Sequence, residues 1–193
     1  MIRPIYNPAV WFLHKVDLAK EQKEQEDSDL NVVEEVQEQA PLCPNIEEIV
    51  DWIINQLVIR DIKYLFIHCT ATHQSATVSA ILNYWKNTLG WKGVGYHGII
   101  LPDGKVSILA DFNTITNGVR GYNSNSIHFS YMGGIDVNGK AFDNRTEEQK
   151  RVLKAIVKAV REKVPSIQIK GHNEVSSKAC PSFDVQKWLD EIK

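Results

Sequence analysis

The sequence predicts an α/β protein of the α+β type: a single mixed β-sheet flanked by helices, preceded by an N-terminal extension. Three stretches carry that expectation. "IKYLFIHCT" (62–70) is a dense apolar run of strand length, "YHGIILPDGKVSIL" (96–109) reads as a hairpin turning at Asp103-Gly104, and "RTEEQKRVLKAIVKAVREKV" (145–164) is a helix with one apolar face. Strands intermixed with helices, with at least one pair joined by a tight turn, give a mixed sheet covered by helices.

Residues 19–41 are Glu/Gln-rich with few large apolar side chains, which predicts a solvated helix or a flexible linker. The chain therefore divides into an acidic extension or linker over 1–45 and a folded domain over 46–193. The start of the extension, "YNPAVWFLHKV" (6–16), is aromatic and apolar, and would either pack on the domain as an extra strand or bind a partner. A first helix follows, with Ile46, Ile49, Val50, Ile53, Ile54, Leu57 and Val58 at helical spacing, Asn45 as N-cap and Glu47 and Glu48 at the positive helix end. "SATVSAILNYWKNTLGW" (75–91) reads as a helix ended by Gly90, and "SIHFSYMGGI" (126–135) as a strand. Thr146 and Gln149 stand in capping-box spacing at the start of the long helix, which Pro165 closes. "SIQIKG" (166–171) is a last strand, "HNEVSSKACPS" (172–182) a loop, and "FDVQKWLDEI" (183–192) a closing helix.

Composition narrows the function. With 193 residues the chain suits one domain and an appendage, and no apolar stretch approaches the roughly 20 residues of a membrane span, so no membrane insertion is expected. Residues 1–62 hold 5 Lys/Arg against 13 Asp/Glu, a net of −8, while 63–193 hold 17 against 11, a net of +6. Lysines spread in this way make a solvated surface, and no nucleic-acid partner is expected. "AVWFL" (9–13) is too short for a signal-peptide core, and three scattered cysteines, Cys43, Cys69 and Cys180, fit a reducing compartment. Both point to synthesis in the cytoplasm without a signal peptide.

His68 ends one strand, His172 follows another, and Cys180 lies in the loop beyond. Strand ends and loops on a fixed sheet bring together groups distant in sequence. Two imidazoles and a thiolate form a three-ligand zinc set with a fourth position open for water. The same residues also suit a cysteine hydrolase in which His172 serves Cys180 as base, and spacing alone does not separate the two. His97 and Cys69 each neighbour a site candidate and so face away from it, as packed or core residues. Trp85 and Trp91 are expected in the core.

"FIHCTAT", "GWKGVGYHGII", "DGKV", "RGYNSNSI", "GGID" and "HNEVSSKACPSFDVQKW" follow one another in an order and spacing that resembles the phage lysozyme-type N-acetylmuramoyl-L-alanine amidases, zinc amidases related to peptidoglycan recognition proteins. The resemblance covers about residues 63–192. It implies the phage lysozyme-like amidase fold for the domain, one Zn2+ held by His68, His172 and Cys180, and assistance to catalysis from Tyr96 and Lys178. It implies hydrolysis of the amide between N-acetylmuramic acid and L-alanine, with peptidoglycan or a muropeptide as substrate, and an endolysin-like or prophage role; a monomer is the expected state. Such an enzyme would reach the wall through a holin or a secretion system, or meet wall fragments in the cytoplasm. A non-catalytic peptidoglycan-binding module or a protein-binding regulator is the alternative.

His73, Asn123 and Asn125 are candidate substrate contacts beside the motifs. Two positions depart from the phage pattern: Gly118 stands where the phage lysozyme carries a pocket histidine, and His128 where a small glycine is usual. Their expected effect is on substrate fit in the groove.

Overall fold

A computed structural model describes residues 42–192. The expectations for "YNPAVWFLHKV" and for the Glu/Gln-rich stretch lie outside the described residues. The strands are β1 (Leu42–Cys43), β2 (Tyr64–Cys69), β3 (Gly98–Ile100), β4 (Val106–Ile108), β5 (Ser126–Tyr131) and β6 (Gln168–Gly171). The helices are α1 (Ile46–Ile54), α2 (Val78–Asn83), α3 (Glu147–Lys163) and α4 (Val185–Glu191). One sheet runs in the order β1-β4-β3-β5-β2-β6. β3, β5, β2 and β6 are mutually parallel, β4 pairs antiparallel with β3, and β1 pairs antiparallel with β4 at the edge, so the sheet is mixed as expected.

The period of two along a strand sorts the side chains. Leu65, Ile67 and Cys69 of β2, with Ile127, Phe129 and Tyr131 of β5, enter the main core against α1, α3 and α4. Phe66, His68, His128 and Ser130 alternate with them and are fully buried on the opposite face. A smaller cluster of Ile81, Trp85, Ile99 and Met132 lies apart from the main core. The β3–β4 hairpin turns at Gly104, whose φ of +86° falls in the left-handed region that glycine adopts at low cost.

Local signals hold where local bonds decide. Asn45 accepts the Glu48 N–H at 2.9 Å, and the capping box of α3 closes from both sides, with Gln149 N to Thr146 Oγ1 at 3.1 Å and Thr146 N to Gln149 Oε1 at 3.0 Å. Thr146 Oγ1 also donates to the Pro102 carbonyl, so one hydroxyl ties α3 to the hairpin. Thr146→Ala is expected to cost about 1 to 2 kcal/mol in a urea titration while leaving turnover per folded molecule unchanged.

Two helices end differently from their sequence period. α1 stops at Ile54, although the apolar spacing continues to Val58. Beyond it, Gln56 accepts the Phe112 N–H, while Asn113 donates to the Leu57 carbonyl and accepts the Ile59 N–H, so tertiary bonds claim the backbone that a further turn would need. α2 gives way to a π-helical turn over Tyr84–Thr88. π-turns inside helices are frequent at functional sites, and this one carries Tyr84 and Trp85.

Candidate active site

β2 and β6 run parallel with Ile67 paired to Gly171, so the next residue of each chain segment, His68 and His172, emerges at the same carboxyl end of the sheet. In open sheets with parallel strands, that end is where ligands bind. Cys180 is brought back to them by a folded loop. The Asn173 N–H donates to the Cys180 carbonyl at 2.7 Å, Ser176 Oγ to the His172 carbonyl at 3.0 Å, and Tyr131 Oη to the Pro181 carbonyl at 2.7 Å. The loop is thus closed on itself and pinned to β5.

One potential ligand atom from each of His68, His172 and Cys180 lies within 4.8 Å of the others. His68 Nδ1 is 3.6 Å from Cys180 Sγ. Bonds of about 2.3 Å to sulfur and about 2.0 to 2.1 Å to nitrogen at a tetrahedral ion put two such ligands about 3.6 Å apart. Burial, followed by the nearby His128, His172 and Lys178, holds His68 well below the usual imidazole range, and burial with Lys178 lowers His172 to about 4. Both rings are therefore neutral lone-pair donors at pH 7. The hydrogen bond with Cys69 and then burial push the Cys180 thiol up, while the same contact draws Cys69 down to about 7. A cation bound between these residues would hold the Cys180 sulfur as thiolate. Residue types, spacing and protonation all fit zinc.

His172 and Cys180 form part of the lining of a cavity of about 980 Å³. Tyr84, Trp85, Trp91 and Tyr96 give it an aromatic wall, and Asn117, Arg120 and Lys178 a polar one. The Tyr96 ring lies 4.9 Å from that of His68. Burial, then the Cys180 and Cys69 sulfurs, push the Tyr96 phenol up, so it remains a protonated donor. Lys178 is exposed on the ligand loop, and its charge is felt at both ligand imidazoles.

The other sequence candidates fall elsewhere. His73 is exposed and Asn123 Oδ1 accepts the Val119 N–H at 2.7 Å. Asn125 accepts the Lys63 N–H through its main-chain carbonyl, and none of the three lines the cavity. His97 is fully buried, with Nε2 donating to the Thr114 carbonyl at 3.1 Å and Nδ1 accepting the His128 N–H at 3.0 Å. Trp85 is buried, as expected of a core residue, yet also lines the cavity beside Trp91. Arg120 is exposed at the cavity with no charged partner among the described residues, a position that the "RGYNSNSI" motif contained without marking.

Burial and the Arg60 charge lower His97 to about 3. In the unfolded chain such a ring takes up its proton near 6.5, so its contribution to stability is full above that pH and is lost as pH falls towards 3. The unfolding free energy is expected to fall below pH 6.5 by about 1.4 kcal/mol per pH unit for each histidine held neutral, and a flat urea midpoint from pH 7 to 4.5 would contradict that assignment.

The chain matches the family described as N-acetylmuramoyl-L-alanine amidase over residues 59–183. The endolysin of Enterobacteria phage K11 is 37% identical over 131 residues, 67% of this chain and 87% of the endolysin. That of Escherichia phage T7 is 38% identical over 128 residues, 66% of this chain and 85% of the endolysin. The solved structure of the Ph2119 endolysin from a Thermus scotoductus bacteriophage superposes with a TM-score of 0.60 at 21% identity, covering 72% of this chain and 89% of that one, and shares the fold. On its matched segment, its fold and the residues gathered at the cavity, the chain belongs to the N-acetylmuramoyl-L-alanine amidases.

Proposed function

We propose that this amidase is zinc-dependent and hydrolyses the bond between N-acetylmuramic acid and L-alanine in peptidoglycan. The observation that carries the reading is the meeting of His68, His172 and Cys180 at a cavity that also holds Tyr96 and Lys178. His68 through Nδ1, His172 and Cys180 would hold the ion. Zinc bound there supplies a Lewis acid for the scissile carbonyl and lowers the pKa of a bound water to about 7.

The chain's own residues do the rest. Lys178 places a positive charge where the tetrahedral oxyanion develops, and the Tyr96 hydroxyl donates a hydrogen bond at the same centre. The aromatic wall offers rings for a sugar or an apolar stem residue, and the loop from His172 to Cys180 keeps ligands and lysine in one rigid piece. Residues 46–193 form the catalytic domain on this reading, with β1 (Leu42–Cys43), from the stretch expected to be extension, adding an edge strand to its sheet, and the bacterial cell wall is where it acts. One chain supplies every ligand and the cavity, so a monomer suffices.

The test measures zinc per chain and the release of L-alanine amino termini from purified peptidoglycan, with and without chelator. About one zinc per chain and chelator-sensitive release are expected. Zinc without release would make the protein a binding module, and release indifferent to chelation would remove zinc from the reaction.

A further inference from the structure

We propose that His128 is a positioning residue for the metal ligand His68, fixing which ring nitrogen of His68 faces the ion, and that Gly118 provides the space it occupies. The inference rests on the zinc reading and deepens it.

The two departures from the phage pattern meet in space. His128 is fully buried on the site-facing side of β5 and does not line the cavity, so its influence falls on the ligand and not on the groove wall. A Cβ on residue 118 would come within 2.5 Å of His128 Cγ and closer still to its Nδ1. Any side chain at 118 therefore displaces the imidazole, and the two positions are physically coupled.

The ring is held on both faces. Phe66, paired with His128 across β2 and β5, lies 5.7 Å away and 10° from parallel, and His97 lies 6.0 Å away on the other side at 20°. The main chain is fixed too, since the His128 N–H donates to His97 Nδ1 and the His128 carbonyl accepts the His97 N–H at 2.8 Å. This leaves His128 Nδ1 pointing at His68 Nε2, 3.1 Å away.

Tautomer logic gives that contact a direction. His68 turns Nδ1 to Cys180, and an Nδ1 that binds metal carries no proton, so the ring proton sits on Nε2. His68 Nε2–H then donates and His128 Nδ1 accepts, which puts the His128 proton on its own Nε2. The opposite arrangement would place a proton on His68 Nδ1 and block ligation. Ligating histidines characteristically donate their second N–H to such an outer partner, which fixes tautomer and ring angle. The His128 Nε2 is buried without a partner among the described residues, a burden on stability that an apolar residue would avoid. Folding alone does not account for an imidazole there.

The experiment uses the full chain. Long-range proton–nitrogen correlation of the zinc-loaded protein should show His68 protonated at Nε2 only, and His128 protonated at Nε2 with an unprotonated, hydrogen-bonded Nδ1; a proton on His128 Nδ1 overturns the proposal. Zinc affinity is then measured by competition with a chromophoric chelator, alongside the visible spectrum of the Co2+-substituted protein. His128→Phe, which fills the space without an acceptor, should weaken zinc binding by about 10- to 100-fold and shift the Co2+ bands. His128→Asn, whose Oδ1 stands near the position of Nδ1, should stay within about threefold of wild type. Equal affinity in wild type and His128→Phe sinks this inference alone, whereas a wild-type chain that binds no zinc sinks the zinc reading with it. Should His128→Phe not fold, the nitrogen correlation on the wild type decides. Gly118→Ala supplies the coupling test: it should weaken zinc beside His128 and be nearly neutral in a His128→Gly background, and additive effects would show that the two positions do not share one space.

Discussion

Cys180→Ser is expected to abolish both zinc retention and amide hydrolysis. Serine keeps the volume but presents a neutral hydroxyl where a thiolate completes the charge and softness that suit zinc beside two imidazoles. His172 and Cys180 are tied by the Asn173 N–H to the Cys180 carbonyl, and this backbone bond survives the change, so the loop should keep its shape. The loss should therefore be chemical, exceeding the roughly 100-fold that marks the upper range for removing an outer-shell partner. Metal content after dialysis and release of L-alanine amino termini check it together. Stoichiometric zinc with wild-type turnover in the serine variant would remove Cys180 from the ligand set. The same measurement separates the thiol-nucleophile alternative, because a cysteine hydrolase would lose activity while staying indifferent to chelators.

Lys178→Ala should lower kcat by about 100- to 1000-fold with zinc still bound, the range seen when one donor to a developing oxyanion is removed, about 2.7 to 4 kcal/mol. Lys178 is exposed, so its charge is screened until substrate covers the cavity and excludes water. The effect should consequently fall on kcat and leave KM little changed, which steady-state kinetics on a soluble muropeptide would read. Lys178→Arg, which keeps the charge, should recover part of the loss. A tenfold rise in KM at constant kcat would instead make Lys178 a substrate-binding residue.

The residues proposed to hold the ion and to assist it sit inside compact sequence signatures: His68 in "FIHCTAT", Tyr96 in "GVGYHGII", and Lys178 with Cys180 two residues apart in one loop. His73, Asn123 and Asn125 were drawn from the same neighbourhoods, yet the structure leaves them off the cavity. Adjacency to a motif says nothing about direction in a loop, where no fixed side-chain period applies. Arg120 went unmarked for the converse reason, since a lone arginine has no sequence signature for facing a cavity.

β1 (Leu42–Cys43) falls in the stretch expected to be extension and is placed only by its pairing with β4, whereas the linear sequence carries strands β2 to β6, the capped starts of α1 and α3, the hairpin turn at Gly104, and the residue types that can hold zinc. Those features depend on side-chain period and on bonds between residues three or four apart, which a linear reading contains. Tertiary structure decided where α1 stops, through the bonds from Gln56 and Asn113. It also decided that Trp85 serves both a core and a cavity wall, and that Gly118 makes room for His128 against His68. These outcomes depend on distances between segments far apart along the chain, and the parallel pairing of β2 with β5 is what sets the one between His128 and His68.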